Sequence, residues 1–495
     1  MYKKTLFVAI AIAGIIYILS HAIPGRAVSG ASQAPVPSCN CAGTNINFDG
    51  NVPGDMPFGI GSQQDANCFG WWEFITLNWP SSGNDFGKPL DMRPVQWQTF
   101  ISRSELFPAE GAVPRPWNQH NLFMSTTMLR TASRLDRRLL STTEYMEATS
   151  KFEENVSDGF DSLESEQAGL EKNPKWLGAQ NGTNLWYDIR LNHDIYNFVV
   201  NNKYYDAHAQ LDSVKAGKPI VFPSGQPTGN VTGAIEMKAA WMEVKDTTNV
   251  KWRRYKLARV AVVDPGSQNP RYTWVALVGL HILHKTQSQS TWVFATFEHV
   301  DNAPDNATDT GHYNFFNPHC RDTSFTVPKE ALPFDTSRNP VTLSCIPNMN
   351  PPYKLGYGVP PLPIQVVRSN PIENRAKATN SFMQNAIRER FPSSVWQYYQ
   401  LVNVMWSSNA PGLPDTPQVV PVNIPSSQPS EAYRVANVTL ETYQQGTRCT
   451  DCHKNAKIAQ IKGFENKYAA DFSFALGTAK YKGFNALRRK LRMGK

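Results

Sequence analysis

Cys449-Thr450-Asp451-Cys452-His453 is the run in this chain whose residue types and spacing dictate a specific chemistry. Two thiols three positions apart lie on neighbouring positions of one helical turn, where both can add to the vinyl groups of a single porphyrin. His453 follows directly, so its imidazole is carried beneath the ring with a nitrogen toward iron. The run predicts one covalent haem c, bound by Cys449, Cys452 and His453, with His453 as the proximal iron ligand. A zinc half-site would need a second Cys/His pair, and none follows among the remaining 42 residues. A thioredoxin-like redox pair would need a strand–helix junction inside a βαβ unit, which the flanks do not supply.

The second axial position is less legible. Small cytochromes c often use a downstream Met, but here that residue is Met493, close to the basic end of the chain. Upstream histidines with the right chemistry are His281, His284, His299, His312 and His319. Of these, His281 and His299, together with Met405, are the distal candidates. The alternative is an open site.

What must position these groups is a β-rich body. Between Gly233 and Asn302, four β-branched and aromatic runs (GAIEMKAAWMEV, RRYKLARVAVVD, YTWVALVGLHILHK and TWVFATFEHV) are split by short polar connections that favour antiparallel hairpins. Alternation along the third run puts His281 and His284 on opposite faces, one toward a core or cleft and one toward solvent. Whether His281 and His299 share a face depends on register, since a one-residue slip reverses it. Helices are expected over 67–79, 189–203, 375–391 and 394–406. Residues 407–430 carry six prolines and no periodicity, and read as an extended linker. Beyond them, Lys454–Gln460 can continue the motif's helix, and residues 469–479 (AADFSFALGTA) can cover a porphyrin face. The fold class is therefore α+β: a large antiparallel β-rich body domain (40–406) with flanking helices, the Pro-rich linker (407–430), and a small α-helical cytochrome c-like haem module with a basic tail (431–495).

Charge separates the two parts. The 495 residues carry 49 basic and 41 acidic side chains, a net +8, yet Arg448–Lys495 alone holds 12 basic and 3 acidic ones. The rest of the chain is nearly neutral, so electrostatic partners are sought at the C-terminus. A hydrophobic fraction of 41% and charged fraction of 18% exclude both a disordered chain and a polytopic membrane protein. MYKK followed by TLFVAIAIAGIIYIL reads as an export signal over residues 1–34, cleaved or retained as an inner-membrane anchor through residues 5–23. The remaining five cysteines fit an oxidising, periplasmic compartment. Cys320 with Cys345, and Cys68 with Cys39 or Cys41, are the nearest plausible bridges. Asp305–Gly311 resembles a calcium loop only loosely, with its Gly one place late and no closing Glu, and reads as a solvated turn.

The blocks WWEFITLNWP, GAIEMKAAW, VGLHILHKT, WVFATFEHVDNAP, ANVTLETYQQGTRCTDCHKNA and ADFSFALGTA occur in an order that resembles bacterial exported cytochrome c family proteins. The resemblance spans about residues 65 to 480. It implies a single covalent haem near the C-terminus on Cys449, Cys452 and His453, and a periplasmic location, but no substrate. Two functions follow as expectations. One is single-electron transfer to or from an acidic redox partner, with anionic membrane surface as a second docking surface and nucleic acid excluded. The other is a peroxidase- or oxygenase-like haem enzyme whose open distal site faces a pocket of the body. A haem-based sensor is a third reading.

Overall fold

Ser62 opens the first helix: its hydroxyl accepts the Asp65 N–H at 3.2 Å, and α1 (Gln63–Leu77) runs on from there. The structure, a computed structural model, describes residues 41, 46–119, 144–145, 176–263, 270–326, 340–353, 359, 361–424 and 435–483. The segment expected to direct export, Cys39, Met493 and the basic end after residue 483 lie outside the described residues. Among those that are described, no helix is long and apolar enough to cross a membrane.

After α1 come β1 (Ile101–Ser102), α2 (Arg103–Leu106), β2 (Glu144–Tyr145), β3 (Leu185–Leu191), α3 (His193–Asn201) and α4 (Ala207–Lys215). The four runs singled out in the sequence become β4 (Ile235–Val244), β5 (Leu257–Val263), β6 (Pro270–His284) and β7 (Val293–His299). There follow β8 (Thr323–Phe325), β9 (Val341–Leu343), α5 (Asn374–Arg390), β10 (Tyr399–Met405) and α6 (Cys449–His453). Eight of the strands form one sheet, antiparallel except for the β2–β5 pair, and β8 with β9 forms a separate ribbon. The α+β class and the antiparallel body hold.

The long strand β6 organises the sheet. One edge pairs with β4; the other is shared, with β5 along residues 270–276 and β7 along residues 279–284. The expected β4–β5 hairpin therefore does not form. The connection between them includes a 3-10 turn, Val250–Arg254, with Trp252 buried, and β5 pairs on the far side of β6. Two expected helices are also corrected. Residues 185–191 extend as β3 against β4, and only after Asn192 caps the next turn does a helix begin. Residues 399–405 form β10 against β7, because their β-branched and aromatic side chains fill a sheet face.

One face of the sheet packs on α1 and α5. Phe74 stacks on Phe297 at 4.2 Å, and the Trp71 indole N–H donates to Asn380 at 3.0 Å. Helix α1 is buried on nearly all sides because α5 covers its outer surface. The opposite face packs on α3, α4, the loops between 301 and 366, and the C-terminal segment 435–483. That segment shares its core with the body: Leu476, Phe472 and Ile458 lie in one cluster with Leu191, Leu283 and Phe294. The described part of the Pro-rich stretch is strapped along it, with the Val420 N–H on Lys467 O at 3.0 Å and the Val422 N–H on Lys454 O at 2.9 Å. Two disulfides form: Cys41–Cys68 ties residue 41 to α1 within the core, and Cys320–Cys345 joins the loops around β8 and β9.

Candidate haem cleft

The C-terminal segment is held on the sheet by hydrogen bonds that its own sequence provides. Asn437 Nδ2 donates to Thr296 Oγ1 at 3.0 Å and to Phe297 O at 2.8 Å, and the Val438 N–H donates to Glu298 Oε1 at 2.6 Å. Gly279, opposite Glu298 on β6, permits this approach, since a Cβ there would overlap the Thr439 hydroxyl. Below this mooring, α6 begins at Arg448, whose N–H and guanidinium both bond the Asp451 carboxylate at 3.1 Å. Thr450 Oγ1 donates to Met405 Sδ at 3.4 Å, pinning the back of the helix to the end of β10. The helix stops at His453 rather than running through Gln460. Residues 456–458 instead turn to pair with 468–470, and this tertiary pairing outweighs local helix preference.

Between α6 and the sheet lies a cleft with about 1140 Å³ of free space, adjoining solvent included. Cys449, Cys452 and His453 line it from one side. The sheet supplies the other side largely by alternation: Tyr187 and Ile189 from β3, Glu236 and Lys238 from β4, His281 and Leu283 from β6, Phe294 and Thr296 from β7, with Ala295 between the last two also reaching it. His281 pairs in register with Lys238 and Thr296, and its Nε2 meets Glu441 Oε2 at 3.2 Å. No family model, curated protein or solved structure matches this chain. Its chemistry is therefore read from the cleft itself.

His453 is held as a neutral imidazole. Its Nδ1 lies 2.6 Å from Phe472 O and donates there, which leaves the Nε2 lone pair for a metal. Phe294 and Phe474 set their rings edge-on to the imidazole, each 5.0 Å away. The residue keeps some solvent contact, yet the protein packed around the ring pushes its pKa down to about 4, against the pull of the Phe472 carbonyl. Burial pushes the Cys449 thiol up, and Glu441 adds to this, so the sulfur stays a neutral thiol and not a thiolate. That environment suits neither a disulfide exchanger nor a zinc ligand, and no group of three or more His, Cys, Asp or Glu among the described residues is placed to hold a metal ion.

Two thiols and an imidazole facing one cleft are the donor set that covalent haem attachment would use. The two thiols and the imidazole open onto the cleft together, and Arg103, Lys238 and Arg448 line it with positive charge that would suit propionate carboxylates. Glu236, its second carboxylate oxygen accepting from Ser473 Oγ at 2.8 Å, has its pKa raised by burial against the opposing pull of Ser473, Arg103 and Lys238.

Of the three distal candidates, His281 lines the cleft and the other two do not. Met405 lies behind α6, its sulfur accepting from Thr450. His299 has the alternation of Ala295 and Phe297, opposite to that of His281, and stacks on Tyr255 at 3.7 Å with its Nε2 on Arg254 O at 3.1 Å. His284 does not reach solvent either: it is buried against the Glu73 carboxylate at 2.5 Å. His312 and His319 lie exposed on a distant loop, their rings 5.7 Å apart. Glu236, Lys238, Arg103, Tyr187 and Glu441 were missed in the sequence. The available signal was GAIEMKAAW, where two charges two positions apart in an apolar strand must share one face.

His299 carries a pH prediction. Burial, with Arg254 and Lys251 adding, pushes its pKa from 6.5 down to about 3. The unfolded chain therefore takes up this proton first. The contribution is fully present above pH 6.5 and is lost as pH falls toward about 3, at no more than ~1.4 kcal/mol per pH unit. Urea midpoints measured from pH 7 to 4 should fall less steeply in His299→Gln than in the wild type; parallel slopes would refute the assignment.

Proposed function

We propose that the chain is an exported c-type cytochrome that carries one covalent haem in this cleft and transfers single electrons to or from a protein redox partner, as the resemblance to exported cytochrome c family proteins implies. The observation that carries the reading is the convergence of Cys449, Cys452 and a neutral His453 on one cleft, with His281 on the facing wall. Bound haem supplies a one-electron Fe(III)/Fe(II) couple. The two cysteines hold the group as thioethers. His453 offers Nε2 as proximal ligand while Phe472 O fixes its ring through Nδ1. Glu441 engages His281 Nε2, so His281 Nδ1 is the ring nitrogen that would be left to donate to the iron of a bound haem. Two disulfides support an oxidising, periplasmic compartment. The surplus of positive charge after Arg448 favours an acidic partner or anionic membrane surface, and such steering weakens with salt.

A second reading, a peroxidase- or oxygenase-like enzyme, is favoured by the acid–base groups on the sheet wall: the His281–Glu441 pair and the Glu236 carboxyl held above its usual range. Visible and resonance Raman spectra of ferric and ferrous protein, with and without carbon monoxide, separate the two. Six-coordinate low-spin ferrous haem that binds carbon monoxide slowly, and loses that signature in His281→Ala, is expected. A five-coordinate high-spin spectrum with fast carbon monoxide binding would replace electron transfer by the enzyme.

A further inference from the structure

Phe472 offers its carbonyl to His453 only because the chain turns through two consecutive left-handed residues, Asp471 at φ 50° and Phe472 at φ 65°. Neither is a glycine, so local preference does not hold the turn, and something else must. The Asp471 carboxylate is the visible cause. Its Oδ1 accepts from Lys285 Nζ at 2.8 Å, and its Oδ2 accepts the Phe222 N–H at 2.8 Å. Lys285 is wholly buried and also donates to Ser290 O at 2.8 Å. The turn is thereby fastened at once to the loop before β4 and to the loop between β6 and β7.

We infer that Lys285 and Asp471 are positioning residues for the proximal ligand: their buried ion pair holds the left-handed turn that keeps Phe472 O on His453 Nδ1, and so sets how strongly the imidazole donates to iron. The inference rests on the haem reading above. Lys285 directly follows β6, the strand that presents His281 to the opposite side of the cleft. One strand thus anchors both walls. A hydrogen bond from Nδ1–H raises the basicity of the ligating nitrogen, and outer-shell partners of this kind change metal properties by about 10–100-fold when lost.

The test uses full-length, haem-loaded protein and the variants Asp471→Asn and Lys285→Gln/Asp471→Asn. The double variant removes both charges and leaves the net charge unaltered, so a potential shift in it does not come from lost charge. Weakening the turn should favour Fe(II) about tenfold against a fixed mediator, an upward shift of about 59 mV for one electron, with a lowered iron–imidazole stretching frequency in the Raman spectrum of the five-coordinate ferrous state left by photolysis of the carbon monoxide complex. A folded, haem-loaded double variant with unchanged potential and frequency overturns the inference and leaves the haem reading intact. Wild-type protein without covalent haem overturns both. Should neither variant fold, hydrogen exchange in the wild-type haem protein decides. A common opening free energy for His453 Nδ1–H and the Phe222 amide supports one fastened unit, and independent, faster exchange at His453 refutes it.

Discussion

Cys449→Ser/Cys452→Ser protein will carry no haem through a denaturing gel, whereas wild-type protein exported by a host with cytochrome c maturation will stain for it. The expectation follows from covalent chemistry. Each S–H adds across one vinyl double bond, so two thioethers form without any external oxidant and neither forms at a serine. Burial keeps the Cys449 sulfur as a neutral thiol, and both side chains open onto the cleft that His453 lines. The other described cysteines are committed to the Cys41–Cys68 and Cys320–Cys345 disulfides, so no alternative pair is at hand among the described residues. Either single variant should keep the stain at reduced yield through its remaining thioether. His453→Ala should keep it too, but with altered visible bands, because the thioethers do not depend on the axial ligand. Retention of covalent haem by the double variant would remove the basis for assigning the cleft.

The motif was legible because its information is local: five residues in one turn bring two thiols and an imidazole to one cleft. Strands β4 to β7 were legible for a similar reason, as β-branched and aromatic runs declare themselves. What was not legible was set by distant partners. β10 is a strand because Tyr399 and Met405 find His299 and Phe294 on β7, a hundred or more positions earlier. Alternation correctly separated His281 from His284, but which face is the cleft depends on where residues 435–483 fold back, and nothing near position 281 encodes that. The left-handed turn at Asp471 and Phe472 is likewise invisible in the sequence, since the residues that hold it, Phe222 and Lys285, lie far upstream. A C-terminal segment read from its own composition appeared as a helical module beyond a linker. Its polar side chains and backbone groups, such as Asn437 and Val438, are instead satisfied by the sheet.

That dependence makes the second large effect a stability effect remote from the motif. Glu298 on β7 is fully buried, accepts the Val438 N–H through one oxygen, and meets Arg368 through the other at 2.8 Å. Arg368 is also buried and reaches Asp305 at 2.8 Å, which Lys377 flanks at 3.3 Å. Replacing Arg368 by Met strands a buried carboxylate, and breaking a buried pair from one side costs about 3–5 kcal/mol. Burial already holds the Glu298 pKa above its ordinary 4.5, against the pull of Arg368. Without the arginine it rises further, so the folded variant binds the proton that the unfolded chain releases. The variant's stability is therefore retained below pH 4.5 and falls as pH rises from there, and its deficit against wild type in urea unfolding should be greater at pH 8 than at pH 5. Adding Glu298→Gln removes the stranded charge while leaving an oxygen to accept the Val438 N–H, so the double variant should recover most of the loss and all of the added pH dependence. Because Val438 leads directly into Leu440 and Glu441 on the cleft wall, the yield of haem-loaded protein should follow the same order: wild type, double variant, Arg368→Met. A double variant no more stable than Arg368→Met would mean that the arginine acts through packing and not through the charge it covers.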